Sequence, residues 1–189
     1  MDRDLANKIS VPDYAASQWL QAGEFPMDQV PTGLRRWLDS GGMLTRRMKK
    51  CCGPSFRLRL LEQRAATANE LSGGGLCREV SLECGPLRTI FARSLIPSLT
   101  LTAHPWLAEL AENPLGETLA EKPNMKRSGF SFAIVSPGQP LYAAALPPGA
   151  ETPPVLYTRR SEFRLDDNPL WVCEVFLPAI CLCQESRGG

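Results

Sequence analysis

The sequence predicts one α+β domain that is built mainly on an antiparallel β-sheet. Two observations carry this prediction. The length of 189 residues is that of a single domain, and the strand-like segments follow one another through connections too short to cross over to a parallel neighbour. A few short helical segments stand between the hairpins. We therefore expect residues 1–189 to form one domain without internal repeats.

The charge balance excludes several classes of protein. The 21 Lys and Arg residues are matched by 20 Asp and Glu residues, whereas a nucleic-acid-binding protein needs an excess of basic residues. No apolar run approaches the length that spans a bilayer, and the charged N-terminus does not have the pattern of a secretory signal. We therefore expect a cytoplasmic protein that neither binds nucleic acid nor inserts into a membrane.

The cysteines and the single histidine point away from metal and triad chemistry. There are seven cysteines, and neither Cys51-Cys52 nor Cys181-x-Cys183 has the spacing of zinc ligands. His104 precedes a proline and has no nucleophile signature nearby. We expect reduced thiols that serve in part as small buried apolar groups, no metal site and no histidine-dependent triad.

The first fifty residues predict a lead-in followed by two helices. Residues 1–30 have weak periodicity and are expected to be a loosely ordered lead-in with a short helix around residues 14–20. Apolar residues then recur at helical spacing over residues 34–50. Because Gly41 and Gly42 interrupt that stretch, it predicts two helical pieces.

Two hairpins dominate the remainder. Residues 56–60 alternate as a half-exposed strand. Two further strands, at 79–84 and 87–96, are joined by the turn at Gly85-Pro86. The other predicted elements are short helices at 105–111 and 114–121, a strand at 130–135, and a hairpin of strands at 155–165 and 170–177. Residues 137–154 contain six prolines and two glycines, which predicts a surface excursion without regular structure that can be shortened.

Two charged residues break the strand pattern, in which successive side chains point to opposite faces. Arg93 falls between Phe91 and Leu95 on a face that should be buried, and Glu174 is the only charge in its strand. Because an unpaired buried charge is costly, two interpretations stay open. Either the two residues form a structural ion pair or lie on a solvated edge face, or both line a cavity open to a polar ligand.

Helix starts add a third feature. Asn113 is a favourable N-cap and Pro114 fits the first helical position, so the amides of Leu115 and Gly116 are expected to face outward. A helix N-terminus attracts anions, and Leu44 begins a second such helix. Together these features favour a small anionic ligand in an apolar pocket.

The sequence resembles the chorismate pyruvate-lyase family of bacterial enzymes, which make 4-hydroxybenzoate for ubiquinone biosynthesis. The blocks that carry the resemblance occur in the family's order between residues 34 and 180: Leu44-Thr45-Arg46-Arg47-Met48, Arg78-Glu79-Val80, Ala92-Arg93-Ser94-Leu95-Ile96-Pro97, Pro114-Leu115-Gly116, Arg159-Arg160-Ser161 and Glu174-Val175-Phe176-Leu177-Pro178.

The resemblance implies a fold, an activity and a set of roles. It implies an antiparallel sheet with helices that enclose the ligand, and the release of pyruvate from chorismate. Because that reaction makes the ring aromatic, we expect no cofactor, and we expect a monomer. It places the substrate-carboxylate arginine at Arg93, the active-site glutamate at Glu174, and backbone contacts to the ligand at Leu44 and Leu115. Glu174 either mediates proton transfer or only orients the ring hydroxyl, and the sequence does not separate these roles.

Two other classes of function remain as alternatives. A related fold serves as the effector domain of some bacterial repressors, which would make this chain a non-catalytic module that binds a small anion. The lead-in of about 40 residues is short for the helix-turn-helix that such a repressor needs. A scaffold protein without chemistry, by contrast, predicts that Arg93 and Glu174 pair with each other and leave no cavity.

Overall fold

The computed structural model describes residues 18–183, which form a single eight-stranded sheet. Seven strands lie in the order β1-β6-β7-β8-β4-β3-β2, β5 pairs with β7, and every pair is antiparallel, as the short connections predict. The strands are β1 (Leu20–Gln21), β2 (Phe56–Ala65), β3 (Gly75–Cys84), β4 (Leu87–Pro97), β5 (Met125–Arg127), β6 (Ser131–Val135), β7 (Leu156–Leu165) and β8 (Asn168–Phe176).

Five short α-helices accompany the sheet. They are α1 (Thr32–Leu38), α2 (Leu44–Cys52), α3 (Ser98–Ala103), α4 (Leu115–Ala120) and α5 (Pro140–Ala145), with 3-10 turns at Met27–Gln29, Gly53–Ser55, Pro105–Glu109 and Pro178–Leu182. The two helices expected around the Gly-Gly pair are confirmed as α1 and α2. Among residues 18–183, no helix is both long and apolar enough to cross a membrane.

The two faces of the sheet carry different cores. On β4, Phe91 and Leu95 pack with α5 on one face, whereas Ile90 and Ala92 pack with α1 and α2 on the other. Strand alternation produces this division, because consecutive side chains leave the strand on opposite sides. We call the side covered by α1, α2 and α4 the ligand face, and the side covered by α5 the α5 face.

The expectation of an irregular surface excursion at residues 137–154 is wrong. The segment contains α5, whose Leu141, Tyr142 and Ala145 are at most 4% exposed on the α5 face. Pro140 occupies the first turn of α5, where a proline costs no helical hydrogen bond. The prolines therefore flank the helical run instead of interrupting it.

The lead-in is also better ordered than expected from residue 18 onward. β1 pairs with β6, and Phe25 packs against Phe132 with ring centroids 5.3 Å apart. Phe25 and Val30 are buried in the core of the ligand face. Residues 1–17, and with them most of the helix expected around residues 14–20, lie outside the described residues, and Leu20 is in a strand.

The cysteines depart from the expectation in one place. Cys52 and Cys84 form a disulfide between the end of α2 and the end of β3, so the prediction that the thiols are all reduced is wrong for this pair. Cys77 and Cys173 are free and fully buried, which confirms their expected use as small apolar groups. Nothing in the spacing of the sequence indicates which cysteines the fold brings together.

Candidate active site

A cavity of about 60 Å³ lies between the ligand face and the first turns of α2 and α4. Its floor consists of alternate residues on three strands, because only every second side chain points to this face. These residues are Arg78, Val80 and Leu82 on β3, Ala92 and Ser94 on β4, and Val172 and Glu174 on β8. The remaining wall is formed by residues 42–45, Leu58, residues 114–116, Arg127 and Phe163.

The two helix starts line the cavity as the sequence predicts. Leu44 and Leu115 are the first residues of α2 and α4, and both lie on the cavity wall. Amides in the first turn of a helix have no intrahelical acceptor, and no side chain caps either start. The expected N-cap role of Asn113 is not seen, because α4 begins one residue later than predicted and Pro114 is its N-cap.

Arg78 brings a buried positive charge to this wall. It is 1% exposed, and its Nη2 donates hydrogen bonds to the carbonyl oxygens of Ala111 at 2.7 Å and Asn113 at 3.1 Å. Its Nε is buried and has no hydrogen-bond partner among the described residues. Burial lowers the pKa of Arg78 to about 10, which leaves the guanidinium charged at neutral pH.

No carboxylate of the described chain forms an ion pair with Arg78. A buried charge without a counterion is unfavourable. An anionic ligand in the cavity would supply the missing charge.

Arg127 is the second cation on the wall. Its Nε donates to the hydroxyl of Ser161 at 3.1 Å, and its guanidinium lies 4.3 Å and 4.8 Å from the ring centroids of Phe130 and Phe163. Burial lowers the pKa of Arg127, and the nearby negative charge of Glu174 partly opposes that shift. Within residues 18–183, Arg127 has no carboxylate partner at ion-pair distance.

Glu174 is held by a fully buried arginine behind the wall. Arg159 Nε donates to Oε2 of Glu174 at 2.6 Å, and Arg159 Nη1 donates to the carbonyl oxygens of Leu38 at 2.9 Å and Ser40 at 2.6 Å. These bonds tie Glu174 to the end of α1 and the residues that follow it. Because the bond from Arg159 uses only Oε2, Oε1 of Glu174 is available to a ligand.

The expectation that Arg93 and Glu174 line one cavity is wrong. Glu174 pairs in register with Ala92, whereas Arg93 pairs with Cys173, so the two side chains leave the sheet on opposite faces. Arg93 instead makes an ion pair with Glu79 on the α5 face, with N–O distances of 2.6 Å and 2.7 Å, and Glu70 lies 3.9 Å away. The alternative of a structural Arg93–Glu174 ion pair fails for the same reason.

Sequence reasoning missed Arg78 and Arg127. A signal for Arg78 was present, because the alternation of Val80, Leu82 and Cys84 on one face of β3 extends one step back to Arg78. Arg127 lies on a strand of three residues, which is too short for periodicity to reveal its face. The predicted helix starts and Glu174 therefore line the cavity, but the arginine that lines it with them is Arg78 instead of Arg93.

Comparisons with known proteins identify the family of this chain. The sequence profile of the chorismate lyase family matches residues 13–185. A probable chorismate pyruvate-lyase from Thiobacillus denitrificans is 36% identical over 180 residues, which cover 89% of this chain and 95% of that protein. Another from Methylococcus capsulatus is 34% identical and covers 81% of this chain and 99% of its own length.

A solved structure shares the fold. The effector domain of PhnF from Mycobacterium smegmatis superposes with a TM-score of 0.52 at 16% sequence identity, covering 72% of this chain and 89% of that domain. At this identity the likeness concerns the fold alone. The scaffold alternative predicts that Arg93 and Glu174 pair and that no cavity is left. The structure disagrees on both counts, because the two side chains leave the sheet on opposite faces and a cavity is present.

Proposed function

The chain belongs to the chorismate lyase family, and from that premise we propose that it converts chorismate to 4-hydroxybenzoate and pyruvate. The observation that carries the proposal is Arg78, a buried cation that has no counterion within residues 18–183. It lies on the wall of a cavity that it shares with Glu174 and two helix starts. We assign to Arg78 the carboxylate-binding role that the resemblance had placed at Arg93.

The charges of the cavity complement this substrate. Arg78 and Arg127 on the wall and Arg159 behind it contribute three positive charges, and Glu174 contributes one negative charge. These groups together carry a net charge of +2. Chorismate carries two carboxylates. A guanidinium can bind a carboxylate through two parallel hydrogen bonds, so Arg78 and Arg127 are the candidates to bind one carboxylate each.

The reaction needs positioning more than an external reagent. The ether bond between the ring and the enolpyruvyl group breaks, the adjacent ring carbon loses its hydrogen, and the departing group gains one hydrogen to become pyruvate. Because the ring becomes aromatic, the driving force lies in the substrate, and we propose that no cofactor takes part. The protein holds the dianion in a reactive conformation and stabilises the charge that moves to the ether oxygen.

We assign Glu174 an orienting role. Its ion pair with Arg159 fixes Oε2, so Oε1 can accept a hydrogen bond from the ring hydroxyl. We assign to the first-turn amides of α2 and α4, at Leu44 and Leu115, hydrogen bonds to the developing negative charge, because both residues line the cavity. This assignment leaves the ring hydrogen to pass to the enolpyruvyl group without a stop on the protein.

The proposal is tested by mixing the purified protein with chorismate and following pyruvate and 4-hydroxybenzoate together. Equal amounts of both products, formed faster than in protein-free buffer and in the presence of a metal chelator, are the expected result. Pyruvate release without 4-hydroxybenzoate, or no release above the buffer rate, would overturn it. Two further parts of the proposal have separate tests. We expect the purified protein to elute as a monomer in size-exclusion chromatography, and we expect to recover it in the cytoplasmic fraction of lysed cells.

A further inference from the structure

Five of the seven cysteines gather at the end of the molecule where α2, β3 and the last 3-10 turn meet. Three of them, Cys52, Cys84 and Cys183, have sulfur atoms that all lie within 4.8 Å of one another. Cys52 and Cys84 are joined as a disulfide, and Sγ of Cys183 lies 4.0 Å from Sγ of Cys52. The proposed reaction uses none of these sulfurs.

We propose that these three sulfurs, once the disulfide is reduced, form a binding site for a metal ion that prefers thiolates, of the Zn²⁺ and Cd²⁺ class. Zinc binds thiolates tetrahedrally at about 2.3 Å, which places neighbouring sulfurs about 3.8 Å apart. The 4.0 Å separation of the Cys52 and Cys183 sulfurs already fits that geometry. Three thiolates leave one tetrahedral position for an external ligand such as water.

A cation lies beside Cys183. Arg36 donates a hydrogen bond from Nη2 to the carbonyl oxygen of Cys183 at 2.7 Å. A divalent ion with three thiolates has a net charge of −1, which Arg36 lies close enough to balance.

The chemistry balances in two steps. A dithiol reductant breaks the Cys52–Cys84 bond, supplies two electrons and two protons, and is itself oxidised to a disulfide. The metal ion then displaces one proton from each of the three thiols. No oxidant and no other partner is required.

The test uses the full-length protein, reduced under anaerobic conditions and titrated with Cd²⁺ alone. Binding is monitored through the ultraviolet charge-transfer absorption of cadmium bound to thiolate. We expect this absorption to saturate at one equivalent of Cd²⁺. Cys84→Ser and Cys183→Ser each remove a ligand, and we expect either change to raise the dissociation constant at least about tenfold. Cys77→Ala, on the α5 face, is the matched control and should titrate like the wild type.

Several outcomes would contradict the metal site. A disulfide that resists reduction in the folded protein, an absence of charge-transfer absorption, or absorption that survives in both serine variants would each overturn it. Thermal melts establish which variants fold. If Cys183→Ser does not fold, Cys84→Ser carries the comparison, because its partner Cys52 keeps a free thiol.

Discussion

Arg78 on β3 and Arg93 on β4 lie on neighbouring strands and are at most 8% exposed, yet their environments differ in one respect. Arg93 faces Glu79 and Glu70, and its charge is balanced within the protein. Among the described residues, Arg78 donates hydrogen bonds to two carbonyl oxygens, forms no ion pair, and lies on the cavity wall. A buried charge with an opposite charge beside it in the protein, such as Arg93, has a structural role. A buried charge without such a partner, such as Arg78, points to a binding site.

The largest effects are expected when Arg78 and Arg93 are each exchanged for alanine in separate variants. Arg78→Ala should reduce affinity for 4-hydroxybenzoate tenfold to more than a hundredfold, because each charge-assisted hydrogen bond contributes about 1.5–3 kcal/mol. Its melting temperature without ligand should stay close to that of the wild type. Arg78→Lys should restore little if the contact is a planar fork.

Arg93→Ala is the matched counterpart and should show the opposite behaviour. It leaves Glu79 buried without its cation, so the free energy of unfolding should fall by about 3–5 kcal/mol, while 4-hydroxybenzoate still raises the melting temperature. Thermal melts of both variants with and without ligand make the comparison. The interpretation is wrong if Arg93→Ala melts like the wild type without ligand and 4-hydroxybenzoate no longer raises its melting temperature.

Glu174 sharpens the comparison by separating orientation from proton transfer. Glu174→Gln keeps the shape and a hydrogen-bond acceptor, so an orienting residue should retain substantial turnover in this variant and lose it in Glu174→Ala. A general acid or base would instead lose about 10²–10⁴-fold in turnover in Glu174→Gln as well. Steady-state rates of the two variants, with product binding measured in parallel, distinguish the two roles.

The α5 face should respond in stability alone. Leu141 is fully buried, and Leu141→Ala should lower the free energy of unfolding by about 2–5 kcal/mol without changing KM for chorismate. Leu99→Ala, at a position 52% exposed, should cost no more than about 0.5 kcal/mol. A changed KM in Leu141→Ala would mean that the two faces are coupled.

Among the residues of the cavity wall, the smallest effect is expected at Leu44. Its proposed contact with the ligand is through the backbone, and exchange of leucine for methionine conserves volume. Leu44→Met should therefore cost less than about 1.5 kcal/mol in stability and leave KM nearly unchanged. A large rise in KM would show that the side chain itself reads the ligand.

Sequence patterns predict local structure here better than they predict which residues meet. The hairpin β3–β4 and the paired helices α1 and α2 follow from short-range periodicity and turn residues, and Glu174 stands out as a charge in an apolar strand. The helix starts at Leu44 and Leu115, which line the cavity, follow from local helix-start signals. Alternation also tells correctly that Arg93 shares a face with Phe91. It does not tell which face of one strand matches which face of the next, because that depends on register.

The other errors have the same origin. The number of prolines in residues 137–154 suggested a loop, but their positions matter more. Pro140 is the first residue of α5, where a proline is compatible with a helix. Cysteine spacing along the chain carries no information about Cys52 and Cys84, which are 32 residues apart and meet only because α2 ends beside the end of β3.

The position of β8 has a consequence for how the protein is made. β8 is the last strand in the sequence of residues 18–183, yet it lies between β7 and β4 in the interior of the sheet. Until residues 168–176 have left the ribosome, the two halves of the sheet have no strand to join them, and Glu174 is absent from the cavity. Such late, non-local pairing slows folding, and a ligand that binds the cavity can stabilise only a chain that has been synthesised this far.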